Sequence, residues 1–173
     1  MKLHQPSKLA VALAAGLLGS CVLTASPAVA DPIDPYYTVI NANSGKCLAI
    51  GAAHTANGAD ALQWFCYPGN EQRWYLRGST GGSYRLVNVN SGKCLAIGGA
   101  YLNDGAHAVQ WDCLNGNEQR WILRDSNGAK TLTARHSGKC LSIGASSIAD
   151  GALAIQFRCW GGNDQRWYLN YHP

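Results

Sequence analysis

Three acidic residues precede the same triplet in this chain: Glu71-Gln72-Arg73-Trp74, Glu118-Gln119-Arg120-Trp121 and Asp164-Gln165-Arg166-Trp167. Carboxylates at a fixed place invite a test for acid–base chemistry. A glycoside-cleaving pair needs two carboxyl groups about 5 Å apart, or about 6.5–9.5 Å apart for inversion. These acids belong to separate copies of a repeat, and the sequence pairs none of them. No nucleophile elbow and no Ser/His/Asp order accompanies them. The expectation is a non-catalytic protein.

The seven cysteines carry the second chemistry. Zinc ligation calls for close C-x-x-C pairs, and none occurs. Six of the seven, Cys47, Cys66, Cys94, Cys113, Cys140 and Cys159, recur at matched separations. In an exported chain that pattern reads as a disulfide framework. Threefold equivalence leaves two pairings, within repeats or between neighbours. The simpler is within repeats: Cys47–Cys66, Cys94–Cys113 and Cys140–Cys159. Each closes a short loop, a contribution on the order of 3 kcal/mol.

Export is itself an expectation from the N-terminus. Lys2 and Lys8 are followed by an uncharged apolar run, Leu9 to Leu23, and by Ala28-Val29-Ala30. That is the order of a signal peptide, residues 1–30, with cleavage after Ala30. The run is short for a bilayer span. A lesser reading takes Leu18-Gly19-Ser20-Cys21 as a lipoprotein box. The net charge of +4 includes Lys2 and Lys8, and the other cations are scattered singly. That argues against nucleic acid or an anionic membrane as partner.

The elements that position these residues come from the repeat. Ser44-Gly45-Lys46-Cys47-Leu48-Ala49-Ile50-Gly51 returns at Ser91–Gly98, and again at Ser137–Gly144 as Ser-Gly-Lys-Cys-Leu-Ser-Ile-Gly. The repeats span about 37–77, 84–124 and 130–170, after an extension at 31–36, in a domain of 37–173. Each copy reads as four short strands: in the first, 37–42, 47–50, 61–66 and 72–76. A turn at Gly45 and a small-residue loop at 51–60 separate them. No helical period appears. Twelve strands in threefold register exclude a propeller, since three blades are too few, and fit a barrel capped by hairpins. Alternation puts Trp74, Trp121 and Trp167 in the core with Leu76, Leu123 and Leu169. His54, His107, His136 and His172 fall at unlike repeat positions and are expected at the surface.

A tripled Gln-x-Trp with Gly-Lys-Cys-Leu in each copy resembles the ricin B-chain type lectins over roughly residues 37–170. The resemblance implies an all-β fold, a β-trefoil with pseudo-threefold symmetry. It implies one shallow carbohydrate pocket per repeat, for galactose-type sugars or plant polysaccharide, with no cofactor. It places an aromatic platform two residues before the second cysteine, at Trp64, Trp111 and Phe157. An aromatic face suits the apolar C–H face of a sugar. Those rings share strand parity with the cysteines, so a buried role is the alternative. The polar segment Asn70-Glu71-Gln72, Asn117-Glu118-Gln119 and Asn163-Asp164-Gln165 completes the expected site, its glutamines also able to tie loop backbone.

One departure stands out. The family's Asp two residues after the first cysteine is Ala49, Ala96 and Ser142 here. The family's Asn before Gln-x-Trp is Glu71, Glu118 and Asp164. Substitute anchors are expected among those three acids, and among Asn57, Asp104 and Asp150 before the loop glycine. The expected partner is a glycan or polysaccharide, and the expected state a monomer. A protein-interaction or inhibitory module with degenerate pockets is the alternative.

Overall fold

The same tight hairpin opens every repeat. The carbonyls of Asn41, Asn88 and Ala134 accept the N–H of Gly45, Gly92 and Gly138 at 2.9, 2.8 and 2.8 Å. All three glycines hold φ at 69°, a left-handed turn that a Cβ would oppose. The computed structural model describes residues 34–79 and 81–173. The expected signal peptide and the Cys21 box lie outside the described residues.

The first repeat contains β1 (Tyr36–Asn41), β2 (Cys47–Ile50), β3 (Ala61–Trp64) and β4 (Arg73–Ser79). The second contains β5 (Ser83–Asn88), β6 (Cys94–Ile97), β7 (Ala108–Trp111) and β8 (Trp121–Ser126). The third contains β9 (Ala129–Ala134), β10 (Cys140–Ile143), β11 (Ala154–Phe157) and β12 (Trp167–His172). Six strands close a ring of antiparallel pairs: β1–β4, β4–β5, β5–β8, β8–β9, β9–β12 and β12–β1. The others form hairpins β2–β3, β6–β7 and β10–β11. Single bridges Asp60–Val109, Leu62–Leu153 and His107–Ile155 join the hairpins to one another. A six-stranded barrel capped by three hairpins is a β-trefoil.

Packing follows the repeat. Trp74, Trp121 and Trp167 are wholly buried, with Leu48, Leu95 and Leu141, the Ile50 set and the Ala61 set around them. Burial of so much apolar surface is the dominant stabilising term. A buried indole N–H must find an acceptor. Each Trp donates to a carbonyl of its own repeat's second strand: Leu48 at 3.0 Å, Leu95 at 3.0 Å and Leu141 at 3.1 Å. Leu76, Leu123 and Leu169 pack against this cluster. The disulfides pair within repeats, Cys47–Cys66, Cys94–Cys113 and Cys140–Cys159, each across 19 residues.

Several strand boundaries of the first repeat differ from the sequence reading by one to three residues. The third strand of the first repeat stops at Trp64, and Gln72 precedes the fourth strand rather than opening it. Asn70–Gln72, Asn117–Gln119 and Asn163–Gln165 instead form single 3-10 turns. One turn is too short to leave a periodic signature in sequence. Among the histidines, His54 and His107 are exposed, whereas His136 and His172 are half-buried.

Candidate functional site

Each repeat carries one open pocket, built from equivalent residues. The first, about 450 Å³, is walled by Ala49, Ala52, Trp64, Tyr67 and Glu71. The second, about 250 Å³, has Ala96, Gly99, Trp111, Leu114 and Glu118. The third, about 280 Å³, has Ser142, Ala145, Phe157, Trp160 and Asp164.

A kinked 3-10 turn follows the second strand and shapes one wall. Ala52, Gly99 and Ala145 are left-handed, with φ of 49°, 60° and 53°. The next residues, Ala53, Ala100 and Ser146, are left-handed too. Non-glycine residues pay roughly 1–2 kcal/mol each for that conformation. Strain of this kind collects where a rim must be held in shape.

Each pocket is also lined by an aromatic ring. Trp64 is 38% exposed and Trp111 is 44% exposed. A loop glycine of another repeat lies beside each ring. A Cβ placed on Gly151 would lie 3.6 Å from Trp64, and one on Gly58 would lie 3.6 Å from Trp111. Phe157 is half-buried, with the Arg158 guanidinium 5.7 Å from its ring centroid. The exposed aromatic of the third pocket is Trp160.

The carboxylates rise from the single-turn segments. Glu71 is 6% exposed and Asp164 is 3% exposed, while Glu118 is half-buried. The Tyr67 hydroxyl donates to Glu71 Oε1. That bond, with some desolvation and the nearby charge, raises the Tyr67 pKa. Ser142 Oγ donates to Asp164 Oδ2 at 2.6 Å. Leu114 stands where Tyr67 and Trp160 stand, and it offers Glu118 no donor. Behind each carboxylate is a glycine: a Cβ on Gly69, Gly116 or Gly162 would collide with Glu71, Glu118 or Asp164.

The model of the ricin-type beta-trefoil lectin domain-like family matches residues 29–111, 70–157 and 117–172. The chain belongs to this family. The ricin-type domain is also similar to a designed threefold-symmetric protein, ThreeFoil, at 39% identity and a TM-score of 0.77. That match covers 78% of this chain and 97% of ThreeFoil. An exo-β-1,3-galactanase from Clostridium thermocellum matches at 32% identity and a TM-score of 0.78, over 82% of this chain. The ricin-type domain spans only 31% of that galactanase. A ricin B-like lectin from Macrolepiota procera, solved with lactose, shares the fold at 18% identity and a TM-score of 0.68. It is covered over 94% of its length, and 78% of this chain is covered. No curated protein matches the chain.

The ricin-type domain places its expected site residues unequally. Trp64, Trp111, Phe157, Glu71, Glu118 and Asp164 come together in the pockets. Gln72, Gln119 and Gln165 are buried and tie loop backbone, and Gln119 also lines the second pocket. Their side-chain oxygens accept the N–H of Tyr67, Leu114 and Trp160 at 3.1, 2.7 and 2.9 Å. Their amide nitrogens donate to the carbonyls of Phe65, Asp112 and Arg158 at 3.0, 2.8 and 2.9 Å. Both ends of each amide therefore hold the loop that carries the disulfide. Asn70, Asn117 and Asn163 are exposed and line none of the three pockets, so they are not gathered with the rings and acids. Asn70 and Asn163 accept instead from Arg73 and Arg166, each at 3.0 Å.

Asn57, Asp104 and Asp150 are also not pocket anchors. They latch one repeat to the next. Asn57 accepts the N–H of Asp112 at 3.0 Å, Asp104 that of Arg158 at 2.8 Å, and Asp150 that of Phe65 at 2.8 Å. Lys139 pairs with Asp104 and Lys46 with Asp150. Lys93 pairs with Asp112, the residue that Asn57 holds. The lysine hydrogen bond is the main cause of lowered pKa values at Asp104 and Asp112.

A further set was missed in the sequence: Gln63, Gln110 and Gln156, all wholly buried. Each donates to two carbonyls of a neighbouring repeat's loop, such as His54 at 2.7 Å and Ala56 at 3.0 Å for Gln110. Each also accepts a hydroxyl, from Ser44, Ser91 or Ser137. The signal was present, since a Gln precedes every platform aromatic. Among the described residues no group of three or more His, Cys, Asp or Glu could hold a metal ion.

Proposed function

We propose that this chain is a secreted, non-catalytic carbohydrate-binding domain that takes galactose-type sugars or plant polysaccharide in its three repeated pockets. One observation carries the reading. Every pocket is lined by both an aromatic ring and a carboxylate, and a glycine leaves the carboxylate its room. A sugar needs both surfaces: an apolar face to receive its C–H bonds, and an anion to accept from its hydroxyls. Glu71, Glu118 and Asp164 take the acceptor role that the resemblance gives to the strand position. A carboxylate has about four lone-pair sites, so the bonds from Tyr67 and Ser142 leave Glu71 and Asp164 with capacity for a ligand.

Galactose-type ligands are proposed because one similar structure is a β-1,3-galactanase and another was solved with lactose. Single pockets of this openness bind weakly, at about millimolar Kd. Three pockets at fixed separations on a repeating polymer raise apparent affinity by about 10²-fold when geometry allows. Secretion rests on the order of residues 1–30 and on three disulfides that suit an oxidising compartment.

The test is binding of the mature chain to lactose by NMR and to immobilised β-1,3-galactan, xylan and arabinan by pull-down. Saturable binding, weakened when Trp64 and Trp111 are both changed to Ala, supports the proposal. No binding to any of them favours the second reading, a protein-interaction module. Exposed Tyr101, Leu102 and Ile148 at the loop tips are the observation behind that alternative.

A further inference from the structure

Threefold symmetry fails at one place beside the first pocket. A groove of about 350 Å³ is lined there by Tyr36, Thr38, Tyr67, Arg73, Asn170 and His172, among others. Tyr67 forms a wall of both the groove and the first pocket, so the two cavities adjoin. An aromatic run leads across this wall. Trp64 and Phe65 have ring centroids 6.2 Å apart, and Phe65 and Tyr67 5.3 Å apart.

The groove has a definite charge character. The His172 imidazole stacks on Tyr36 at 4.7 Å and 10°. The Arg73 guanidinium lies 4.7 Å from the centroid of the same ring. Arg73 donates to Asn70 at 3.0 Å and to the Pro68 carbonyl at 3.4 Å, both uncharged acceptors. Its five donors are not exhausted by these two bonds. His172 Nε2 meets Thr38 Oγ1 at 3.2 Å. No Asp or Glu is among the lining residues. The groove therefore presents a permanent cation beside an aromatic ring, with no acid among its lining residues.

The other repeats do not reproduce this. Leu114 and Trp160 replace Tyr67, while Ser83 and Ala129 replace Tyr36. In the second repeat Arg85 stands at the position of Thr38 and donates to Asn115 at 2.8 Å.

We propose that this groove is a second subsite, which takes an anionic sugar residue of a glycan whose neighbouring residue rests on Trp64. The shared chemistry is a ring bearing a carboxylate or a sulfate. A guanidinium fork suits either anion, and the Tyr67 ring suits the apolar face. The extended glycan rests on the reading of the Trp64 pocket as a sugar site, whereas the groove has its own readout.

The experiment is an NMR titration of the mature chain, following the Trp64 and Trp111 indole N–H, the Arg73 Nε–H and the His172 ring. The probes are methyl galactoside, methyl galacturonide and galactose 6-sulfate, and β-1,3-galactan oligomers with and without one glucuronate. Either acidic monosaccharide moving Arg73 and His172 supports the groove and names its anion. Movement of the indoles alone, by every probe, overturns the groove and leaves the pockets standing. Movement at the groove with silent indoles overturns the pocket reading instead. The acidic oligomer should bind the wild type roughly tenfold tighter than the neutral one. Arg73→Gln and His172→Ala should each reduce that preference without changing affinity for the neutral oligomer. An unchanged preference in both variants overturns the subsite.

Discussion

Ser142 Oγ donates to Asp164 Oδ2 across 2.6 Å at the floor of the third pocket. The strand position that the resemblance assigns to an Asp, and the turn position that it assigns to an Asn, are thus hydrogen-bond neighbours. Ala49 and Ala96 occupy that strand position in the other two repeats and are paired with the longer Glu71 and Glu118. A small strand residue and an acidic turn residue put a carboxylate in the space that a strand carboxylate would otherwise fill. Moving the charge back should therefore be tolerated. The double variant Ala96→Asp, Glu118→Asn should keep lactose binding at the Trp111 pocket. Glu118→Gln alone should weaken it by about tenfold, the loss of one charge-assisted hydrogen bond. The Trp111 indole shift in an NMR titration reads both.

Gly116 separates pocket shape from fold stability. Its backbone φ of −65° suits any residue, but a Cβ there would meet the Glu118 carboxylate. Gly116→Ala should turn that carboxylate away, leaving the melting temperature within a few degrees of wild type. Lactose binding at the second pocket should fall by about as much as in Glu118→Gln. Calorimetric unfolding and the same titration check the two halves of this expectation.

Gln110 should behave in the opposite way. Gln110→Ala leaves the His54 and Ala56 carbonyls and the Ser91 hydroxyl without their buried partner. The cost should be about 3 kcal/mol in urea unfolding. The Trp111 ring stays chemically intact, so sugar binding in the cold should fall less than stability does.

Acid should loosen the seams between repeats. Lys139 and Lys93 hold the carboxyl groups of Asp104 and Asp112 below the ordinary aspartate value of 3.8. Groups depressed on folding stabilise the fold above their unfolded pKa, and that contribution disappears as pH falls through the lower folded value. The loss should begin near pH 3.8 and continue below it, with a small amplitude because both carboxylates face solvent. Melting temperatures of wild type and of Asp104→Asn, Asp112→Asn should converge over that range. Parallel curves would show that the pairs contribute nothing.

The scaffold was legible because it repeats. Three matched cysteine pairs, three buried tryptophans and the hairpin glycines each need only local sequence to be placed. The site was legible in part. Trp64, Trp111, Phe157 and the acids line the pockets, while Gln72 bonds to loop backbone and Asn70 to Arg73. Their roles depend on a single 3-10 turn that points Glu71 one way and Asn70 the other, and no period marks so short an element. The latches of Asp104 and Asp150 cross between repeats, as do the bonds of Gln63 and Gln110. Contacts of that sequence separation leave no trace in the spacing of one copy. The groove was not legible for the converse reason: Tyr36 and His172 break the repeat, and they meet the repeated Arg73 only where β1, β4 and β12 pair.

The central claim is that the aromatic ring and the carboxylate lining each pocket act together on a sugar. It is met most directly by measuring binding to immobilised β-1,3-galactan for four proteins: wild type, Trp111→Ala, Glu118→Gln and the double variant. The account predicts that either single change weakens the second pocket, and that the double variant is little worse than the poorer single. Binding unchanged in all three variants, or none by the wild type to any glycan offered, would contradict it.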